Sequence, residues 1–391
     1  MKQYDFDRLI DRRDTCSIKT DFVPTTDLLP LWIADMDFPV ADEIVAAVKR
    51  RADHPIFGYG YLPDGLFRAF VEWHRARHGV VYDATKTIPY YSVVSAIRLV
   101  LAALTEPGDG VTIMTPAYMN FKPSVVDIDR TLVTSPLINV DGRYEIDFAD
   151  LDRCLSRSRV LLACSPHNPV GRVWTRGELE HILALCERHD AILISDEIHS
   201  DLILPGFAHT PILTFGDIAR QRSVVMLSAT KTFNLAQTGM AFMYSENPVY
   251  EAKIRKMMGS LHLGAVNVFA AVMVQAAYEH GSDWLEQVLS YVHENERIVA
   301  ERIGRTMPDI RISPLEGTYL LWVDCRRLGI PVSVFFEKEA RIYGDDGALF
   351  GEGGEGFYRL NIATPRCVVA DMLDRMEQAY HACMSRKEAK P

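Results

Sequence analysis

Short apolar runs alternate with longer helical patterns from about residue 45 to residue 285 of this chain. The runs are VTIMTPAY from Val111, VLLACSP from Val160, AILISDE from Ala191, SVVMLSATK from Ser223 and GMAFMYS from Gly239. This alternation predicts the α/β class, with a doubly wound and mostly parallel sheet. Each run is continuously apolar, which is typical of strands that helices cover on both faces.

The pattern changes after about residue 285, where a long amphipathic stretch precedes TYLLWVD from Thr318 and FYRLNIA from Phe357. We therefore predict a large domain over 46–285, a smaller α+β domain over 286–391, and an N-terminal segment, 1–45, that packs with the small domain. The Gly/Glu cluster GALFGEGGEG at 347–356 predicts a mobile loop.

Composition narrows the possible partners and the cellular location. The 391 residues include 42 Lys plus Arg and 52 Asp plus Glu, a net charge of −10. Since no basic run is interleaved with aromatic residues, we do not expect nucleic acid as a partner.

The seven cysteines are scattered without a CxxC pair, so we expect neither a disulfide framework nor a metal site. The N-terminus is charged and no run of about 18 apolar residues occurs, so we expect a cytoplasmic protein without a membrane span.

Polar residues follow the apolar runs, where an open α/β sheet binds its ligand. Lys231 comes directly after a strand, behind the hydroxyls of Ser228 and Thr230. A Schiff-base lysine needs such a rigid and partly desolvated position, although an ordinary surface lysine also occurs there.

Two further residues suit the same site. Asp196 ends a run, with His199 three residues later, and a buried carboxylate there could pair with a protonated pyridine nitrogen, or could merely cap a helix. Asn168 lies in a turn rich in proline and glycine, where its amide could donate to a phenolic oxygen. The joint occurrence of Asn168, Asp196 and Lys231 after successive strands favours a cofactor site.

The segments NPVG, SDEIHSDL, SATKTFN and YRLN, in this order, resemble the fold-type I pyridoxal phosphate enzymes related to the class I and II aminotransferases, over essentially the whole chain. Within that superfamily the chain resembles the cystathionine β-lyase branch, the MalY/PatB group. The residues that carry this second resemblance are WIADMDFP at 32–39, IFGYGY at 56–61, TPAY at 115–118, SPHNPVGRVW at 165–174 and FGEGGEGFYRLN at 350–361.

The resemblance implies pyridoxal 5'-phosphate as cofactor and an amino acid as small-molecule substrate. Lys231 would hold the cofactor covalently and carry protons, Asp196 would pair with its pyridine nitrogen, and Tyr118 would stack on its ring. Asn168 and His199 would surround the phenolic oxygen. Arg359 would bind the substrate α-carboxylate, for which a planar bidentate donor is suited, unless it forms a surface salt bridge. Ala34 and Asn168 would also contact the substrate.

The phosphate site is predicted at the start of a helix near Ser92, because helix N-termini bind anions. The candidates are the backbone amides of Val93 and Val94 and the hydroxyls of Ser95, Ser228 and Thr230, and the sequence leaves open which of them touch the phosphate.

One position departs from the pattern of many aminotransferases. These carry an arginine eight residues after the lysine, where this chain has Gly239. The lyase branch resembles this chain in lacking the arginine. The resemblance therefore implies that the hydroxyl of Tyr59 reaches the cofactor from a second subunit, in a homodimer with shared active sites. Alternatively, Tyr59 and Tyr61 are interface or core aromatic residues.

Two reactions remain open. The first is β-elimination on cystathionine or another cysteine S-conjugate, which yields a thiol, pyruvate and ammonia, and the second is transamination. His199 and the missing arginine favour the lyase. A regulatory role is an additional possibility, since relatives of the lyase branch include proteins that also bind a transcription regulator.

Overall fold

The computed structural model describes residues 2–264 and 267–388. Its strands are β1 (Leu29–Pro30), β2 (Thr87–Tyr90), β3 (Gly110–Thr115), β4 (Thr131–Pro136), β5 (Ile138–Val140), β6 (Arg143–Glu145), β7 (Val160–Cys164), β8 (Ile192–Asp196), β9 (Ser223–Leu227), β10 (Ala241–Tyr244), β11 (Arg311–Ile312), β12 (Leu320–Asp324), β13 (Ile342–Tyr343), β14 (Asp345–Asp346) and β15 (Phe357–Asn361).

The α-helices are α1 (Ile18–Asp21), α2 (Asp42–Ala52), α3 (Asp64–His78), α4 (Val93–Leu104), α5 (Phe121–Val126), α6 (Phe148–Leu155), α7 (Arg176–Arg188), α8 (Asp217–Arg222), α9 (Ala229–Thr232), α10 (Pro248–Ser260), α11 (Val268–His280), α12 (Ser282–Thr306) and α13 (Arg366–Glu388). Short 3-10 helices span Ile212–Phe215, Ala236–Thr238, Arg326–Leu328 and Gly347–Phe350, and a π-helix spans Val334–Glu339. Within the described residues, none of these helices combines the length and apolar character that a membrane crossing requires.

A seven-stranded sheet in the order β2-β10-β9-β8-β7-β3-β4 forms the centre of the structure. Strand β10 is antiparallel to both of its neighbours, and the other pairs are parallel. All five predicted strands are present. The sequence analysis did not identify β2 and β4, which lie at the two edges, where a proline interrupts β2 and exposure of alternate residues interrupts the apolar run of β4.

Side chains of the central strands alternate between two hydrophobic clusters, one on each face of the sheet. In β8 and β9, Ile194 and Val224 belong to the cluster that contains α4, whereas Leu193 and Val225 belong to the larger cluster on the opposite face. The strands are therefore buried on both faces, which explains their continuous apolar runs. The predicted α/β class with a doubly wound sheet is confirmed.

The C-terminal elements form a second sheet, antiparallel throughout, in the order β11-β12-β15-β14. The N-terminal region contacts this sheet, because the backbone N–H of Asn361 in β15 donates to the carbonyl oxygen of Leu31 at 2.8 Å. It also pairs through β1 with β13 in a separate two-stranded sheet. The domain boundaries stay predictions. Residue 1 of the predicted N-terminal segment and residues 389–391 of the predicted small domain lie outside the described residues.

Part of the 347–356 segment is buried against the rest of the protein. Phe350 and Gly354 are buried, and the carbonyl oxygen of Phe350 accepts a hydrogen bond from the backbone N–H of Ala117 at 2.9 Å. The segment therefore contacts the loop that follows β3. Its predicted movement stays a prediction.

Candidate active site

A cavity of about 410 Å³ opens beyond the carboxyl ends of β3, β7, β8 and β9. Most of the residues that the sequence singles out line it: Ala34, Val93, Val94, Tyr118, Asn168, Asp196, His199, Thr230, Lys231 and Arg359. Tyr118, Asn168, Asp196 and Lys231 converge because they lie at or after the carboxyl ends of parallel strands, which meet at one edge of the sheet. Arg359 comes from β15 of the second sheet.

The Lys231 side chain is held at the floor of this cavity. Lys231 lies in the short helix α9, which Ser228 caps by accepting a hydrogen bond from the backbone N–H of Thr230. Its Nζ donates to the carbonyl oxygen of Ala34 at 2.6 Å. Burial, and then the positive charge of Arg359, lower the pKa of Lys231 to about 8, although Asp35 and Asp196 oppose this. A buried amine with a lowered pKa is suited to form a Schiff base.

Asp196 and His199 are buried polar groups with spare hydrogen-bonding capacity. The Asp196 carboxylate accepts a hydrogen bond from the backbone N–H of Ile198 at 3.1 Å, and burial raises its pKa to about 7. A cationic nitrogen beside it would stabilise its charged form. Burial lowers the pKa of His199 to about 3, so the ring is neutral, and its Nδ1 has no hydrogen-bond partner among the described residues.

Arg359 is buried and each part of its guanidinium is oriented. Nη1 donates to Oδ1 of Asn168 at 3.0 Å, and Nη2 donates to the carbonyl oxygen of Trp32 at 3.2 Å. Nε and Nη2 both donate to Oδ2 of Asp345, at 3.1 Å and 2.5 Å. The alternative of a surface salt bridge is wrong for Arg359, because both it and Asp345 are buried and line the cavity.

The start of α4 forms another wall of the cavity, and its predicted phosphate contacts stay predictions. Ser92 caps this helix, and Val93 and Val94 in its first turn line the cavity. The hydroxyl of Ser95 instead contacts that of Ser92 at 2.7 Å. The hydroxyl of Ser228 likewise has a hydrogen-bond partner within the protein, because it donates to the carbonyl oxygen of Met240 at 2.7 Å. Neither Ser95 nor Ser228 lines the cavity.

Gly239, which stands where many aminotransferases have arginine, adopts a left-handed backbone with φ of 62°. A Cβ at this position would lie 3.4 Å from the carbonyl oxygen of Tyr91. The backbone at this wall therefore favours glycine over any residue with a side chain.

The two predicted tyrosines lie in different environments. Tyr118 lines the cavity, and its hydroxyl accepts a hydrogen bond from Nδ2 of Asn120 at 2.7 Å. Tyr59 is fully exposed and lies outside the cavity of its own chain. Tyr61, Phe57 and Ile56 are exposed beside it.

Several cavity residues were given no role of their own in the sequence analysis, notably Trp32, Tyr91, Ser92 and Asp345. Ser92 was considered only as the start of a helix, although N-cap chemistry marks it as part of an anion site. Asp345 could have been found only from the register of β14 on β15, where it lies opposite Arg359.

The chemical groups that line this cavity fit the groups of pyridoxal phosphate. The cavity offers a buried amine at Lys231 and the N-terminus of α4. It also offers the Asp196 carboxylate, which forms no salt bridge with the described residues, and a His199 nitrogen without a hydrogen-bond partner among them. The amine can bond to an aldehyde carbon, and the carboxylate can pair with a protonated pyridine nitrogen. The helix N-terminus can bind a phosphate.

Comparison with known proteins yields consistent relatives. The family model described as aminotransferase class I and II matches residues 26–374. The chain is 34% identical over 383 residues to cystathionine beta-lyase PatB of Bacillus subtilis, covering 96% of this chain and 99% of that one. It is 32% identical over 374 residues to protein MalY of Escherichia coli, covering 93% and 95%.

Solved structures give a similar result. Cystalysin from Treponema denticola, which contains a pyridoxal 5'-phosphate cofactor, matches with a TM-score of 0.94 and 31% identity, over 97% of this chain and 100% of that one. The PLP-bound C-S lyase from Staphylococcus hominis matches with a TM-score of 0.91 and 30% identity, over 96% and 99%.

Proposed function

Because the chain belongs to the aminotransferase class I and II family, we propose that it is a pyridoxal phosphate-dependent C–S β-lyase. It acts on cystathionine or another cysteine S-conjugate, and the overall reaction with water yields a thiol, pyruvate and ammonia. The observation that carries this proposal is one buried cavity that contains the Lys231 amine, the Asp196 carboxylate and the Arg359 guanidinium.

Each residue has a separate task. The amine of Lys231 would hold the cofactor covalently. Asp196 would pair with the pyridine nitrogen of the cofactor, and the N-terminus of α4 would bind the phosphate of the cofactor. When bound, the cofactor supplies an electron sink for the electrons released at the substrate Cα. Arg359, oriented by Asp345, would bind the substrate α-carboxylate.

Proton transfer falls to Lys231. With a pKa near 8, a substantial fraction of its amine is neutral at physiological pH and can take the proton from Cα. The hydrogen bond to the carbonyl oxygen of Ala34 directs Nζ to a fixed point, and the neighbouring Tyr319 hydroxyl donates to the same oxygen at 3.0 Å. In the cofactor-free protein these contacts give the amine a defined position.

Transamination requires the same residues and is the competing activity. Two features support elimination: His199 beside Asp196, and Gly239 in place of an arginine. The lyase names of PatB and of the Staphylococcus hominis enzyme, at 34% and 30% identity, support the same choice.

The test is to incubate the purified protein and cofactor with L-cystathionine and to follow thiol and pyruvate release. A parallel reaction contains amino acids and a keto-acid acceptor. We expect rapid pyruvate formation and slow amino transfer. Lys231→Ala is the control that should abolish both, and faster transfer than elimination in the parent would assign the protein as an aminotransferase.

We further propose a cytoplasmic homodimer in which Tyr59 reaches the partner's cavity. The exposed aromatic residues around Tyr59 support the interface, since an exposed apolar patch marks a contact site. The seven free cysteines are typical of a reducing compartment.

A further inference from the structure

Behind the cavity lie two buried carboxylates that have no task in the mechanism above, Glu197 and Asp201. Both belong to the segment that follows β8, and neither lines the cavity. Glu197 accepts hydrogen bonds from Ser195 Oγ, the backbone N–H of Ile212 and Nε2 of His209, at 3.0, 3.0 and 3.1 Å. These partners fix the segment itself.

The hydrogen-bond partners of Asp201, in contrast, come from distant parts of the chain. From α3, Nε1 of Trp73 donates at 3.1 Å and Nε2 of His78 lies 2.7 Å from Oδ1. From α9, the hydroxyl of Thr232 donates to Oδ2 at 2.8 Å. One carboxylate thus joins α3, α9 and the segment after β8.

The positions of these partners connect Asp201 to the chemistry. Thr232 follows Lys231 directly in α9, and Asp201 itself lies two residues after His199. Thr232 is 1% exposed and Asp201 is 3% exposed, so water does not compete for this hydrogen bond. A displacement of the carboxylate would shift the backbone that carries Lys231 relative to the backbone that carries His199.

The charges around Asp201 favour a fixed carboxylate. Burial alone would raise its pKa, but the hydrogen bond and charge of His78, together with His74 and Arg77, lower the pKa well below its ordinary value. Nε of Arg77 lies 3.2 Å from Oδ1. The ring of His209 packs edge-on against that of His78, with centroids 5.6 Å apart. The acceptor is therefore charged throughout the physiological range.

We propose that Asp201 is a positioning residue that holds Lys231 and His199 in register through the Thr232 hydroxyl. Asp201 acts through Thr232 and touches neither substrate nor cofactor. This inference rests on the proposed function, since it assumes that Lys231 carries pyridoxal phosphate.

The Thr232→Val and Thr232→Ser holoenzymes provide the test, because Val keeps the shape of Thr and removes the donor, whereas Ser keeps the donor. Thr112→Val is the matched control: it removes an equally buried hydroxyl, whose partner Ser158 lies outside the cavity. The readouts are the pH titration of the visible absorbance of the lysine-bound cofactor, and kcat and KM measured separately. Among the described residues, the charged groups that act on the free Lys231 amine are Arg359, Asp35 and Asp196.

For Thr232→Val we expect a titration midpoint displaced by about half a pH unit or more and a kcat lowered about tenfold with KM little changed. Thr232→Ser should restore both values, and Thr112→Val should match the parent. If Thr232→Val fails to fold, Thr232→Ala carries the same expectation.

A purely structural role would lower the melting temperature alone. Titration and kcat in Thr232→Val equal to those of Thr112→Val would therefore overturn the inference. Failure of the proposed function is distinguishable in the parent protein. A parent without visible absorbance after incubation with pyridoxal phosphate would show that Lys231 does not carry the cofactor. A parent with that absorbance but with amino transfer faster than pyruvate release would be an aminotransferase, in which the comparison of the Thr232 variants still tests Asp201.

Discussion

Asp345 lies directly opposite Arg359 in the antiparallel pair of β14 and β15, and its Oδ2 accepts hydrogen bonds from both Nε and Nη2 of that arginine. The pairing of the two backbones fixes the side-on approach of the carboxylate. Burial raises the pKa of Asp345, while the charge of Arg359 opposes that rise. The carboxylate thus occupies one edge of the guanidinium, and Nη1 remains directed at Asn168.

Replacing Asp345 with Asn should raise KM for α-amino acid substrates. Asn offers a neutral oxygen and loses the charge-assisted contact that holds Arg359, a contact worth about 1.5 to 3 kcal/mol, so a rise of about tenfold to a hundredfold follows. The measurement is steady-state kinetics with one amino acid substrate, together with the visible absorbance of the bound cofactor, which should remain.

The neighbouring Asp346 offers a matched control. Its side chain accepts a hydrogen bond from the backbone N–H of Ala348 at 3.0 Å and does not contact Arg359. Asp346→Asn should leave KM within about twofold of the parent value, as is usual for a substitution away from the site. Equal KM values in the two variants would contradict the positioning role of Asp345.

Asp196 should reduce the stability of the cofactor-free protein in a pH-dependent way. Its pKa is about 7 when folded and 3.8 as an ordinary carboxyl. The folded state therefore binds more protons between these values, so this group's contribution to stability falls as the pH rises from about 4 to about 7. Relative to the parent, Asp196→Asn should gain stability over this range, by at most about 4 kcal/mol.

Urea unfolding of the parent and the variant at the two ends of that range measures this difference. Exposed Asp53 supplies the control, since Asp53→Asn should show no comparable trend. Pyridoxal phosphate should reverse the order of stability, because the parent carboxylate then gains its cationic partner and ligand binding stabilises the folded state. A stability difference that does not vary with pH would contradict the account.

The residues that follow the buried strands could be predicted because a general rule places them. The strand-end rule brings Asp196 and Lys231 to one cavity without any knowledge of packing. The contacts of Ser95 and Ser228 could not be predicted in this way. Both hydroxyls find partners within their own neighbourhood, at Ser92 and Met240, and this local competition is invisible in a motif.

Asp345 could not be predicted either, because the sequence does not reveal the register of short strands. Its role depends on which residue of β15 it faces, and a strand of two residues carries no pattern that fixes the register. The edge strand β4 was missed because only strands buried on both faces give continuous apolar runs, and β2 was missed because a proline interrupts it.

Lys19 should contribute strongly to stability, because it is buried beside the loop that carries Ala34. Its Nζ donates to Oδ2 of Asp37 at 2.8 Å, and its side chain is 1% exposed. Removing one partner of a buried ion pair costs about 3 to 5 kcal/mol, and Lys19→Met should fall near the lower value because Arg12 still pairs with Asp37.

Urea unfolding of Lys19→Met beside Lys2→Met measures this contribution. Lys2 pairs with Asp42 at 2.8 Å on the exposed surface, where water screens the pair, so its loss should destabilise the protein far less than the loss of Lys19. Equal losses in the two variants would indicate that the burial of Lys19 adds nothing.

Tyr59 should act in the active site of the partner subunit. Its side chain is fully exposed and outside the cavity of its own chain, in a segment where Ile56, Phe57 and Tyr61 are exposed as well. The cavity has Gly239 in place of a phosphate-binding arginine, so a further donor is needed for the phosphate charge. Tyr59→Phe should weaken cofactor retention, measured by dialysis and absorbance, by about 1.5 to 3 kcal/mol, while sedimentation shows an unchanged dimer.

Hybrid dimers test the crossing directly. A Lys231→Ala subunit lacks the covalent anchor, and a Tyr59→Ala subunit lacks the donor, so each homodimer should be strongly impaired. If Tyr59 reaches across, a hybrid of the two contains one cavity with both residues and one with neither. Isolated hybrids should therefore regain up to about half of the parent activity. Since both cavities of the hybrid would be defective if each Tyr59 served its own chain, verified hybrids without recovery would exclude the crossing and leave Tyr59 as an aromatic residue of the surface or the interface.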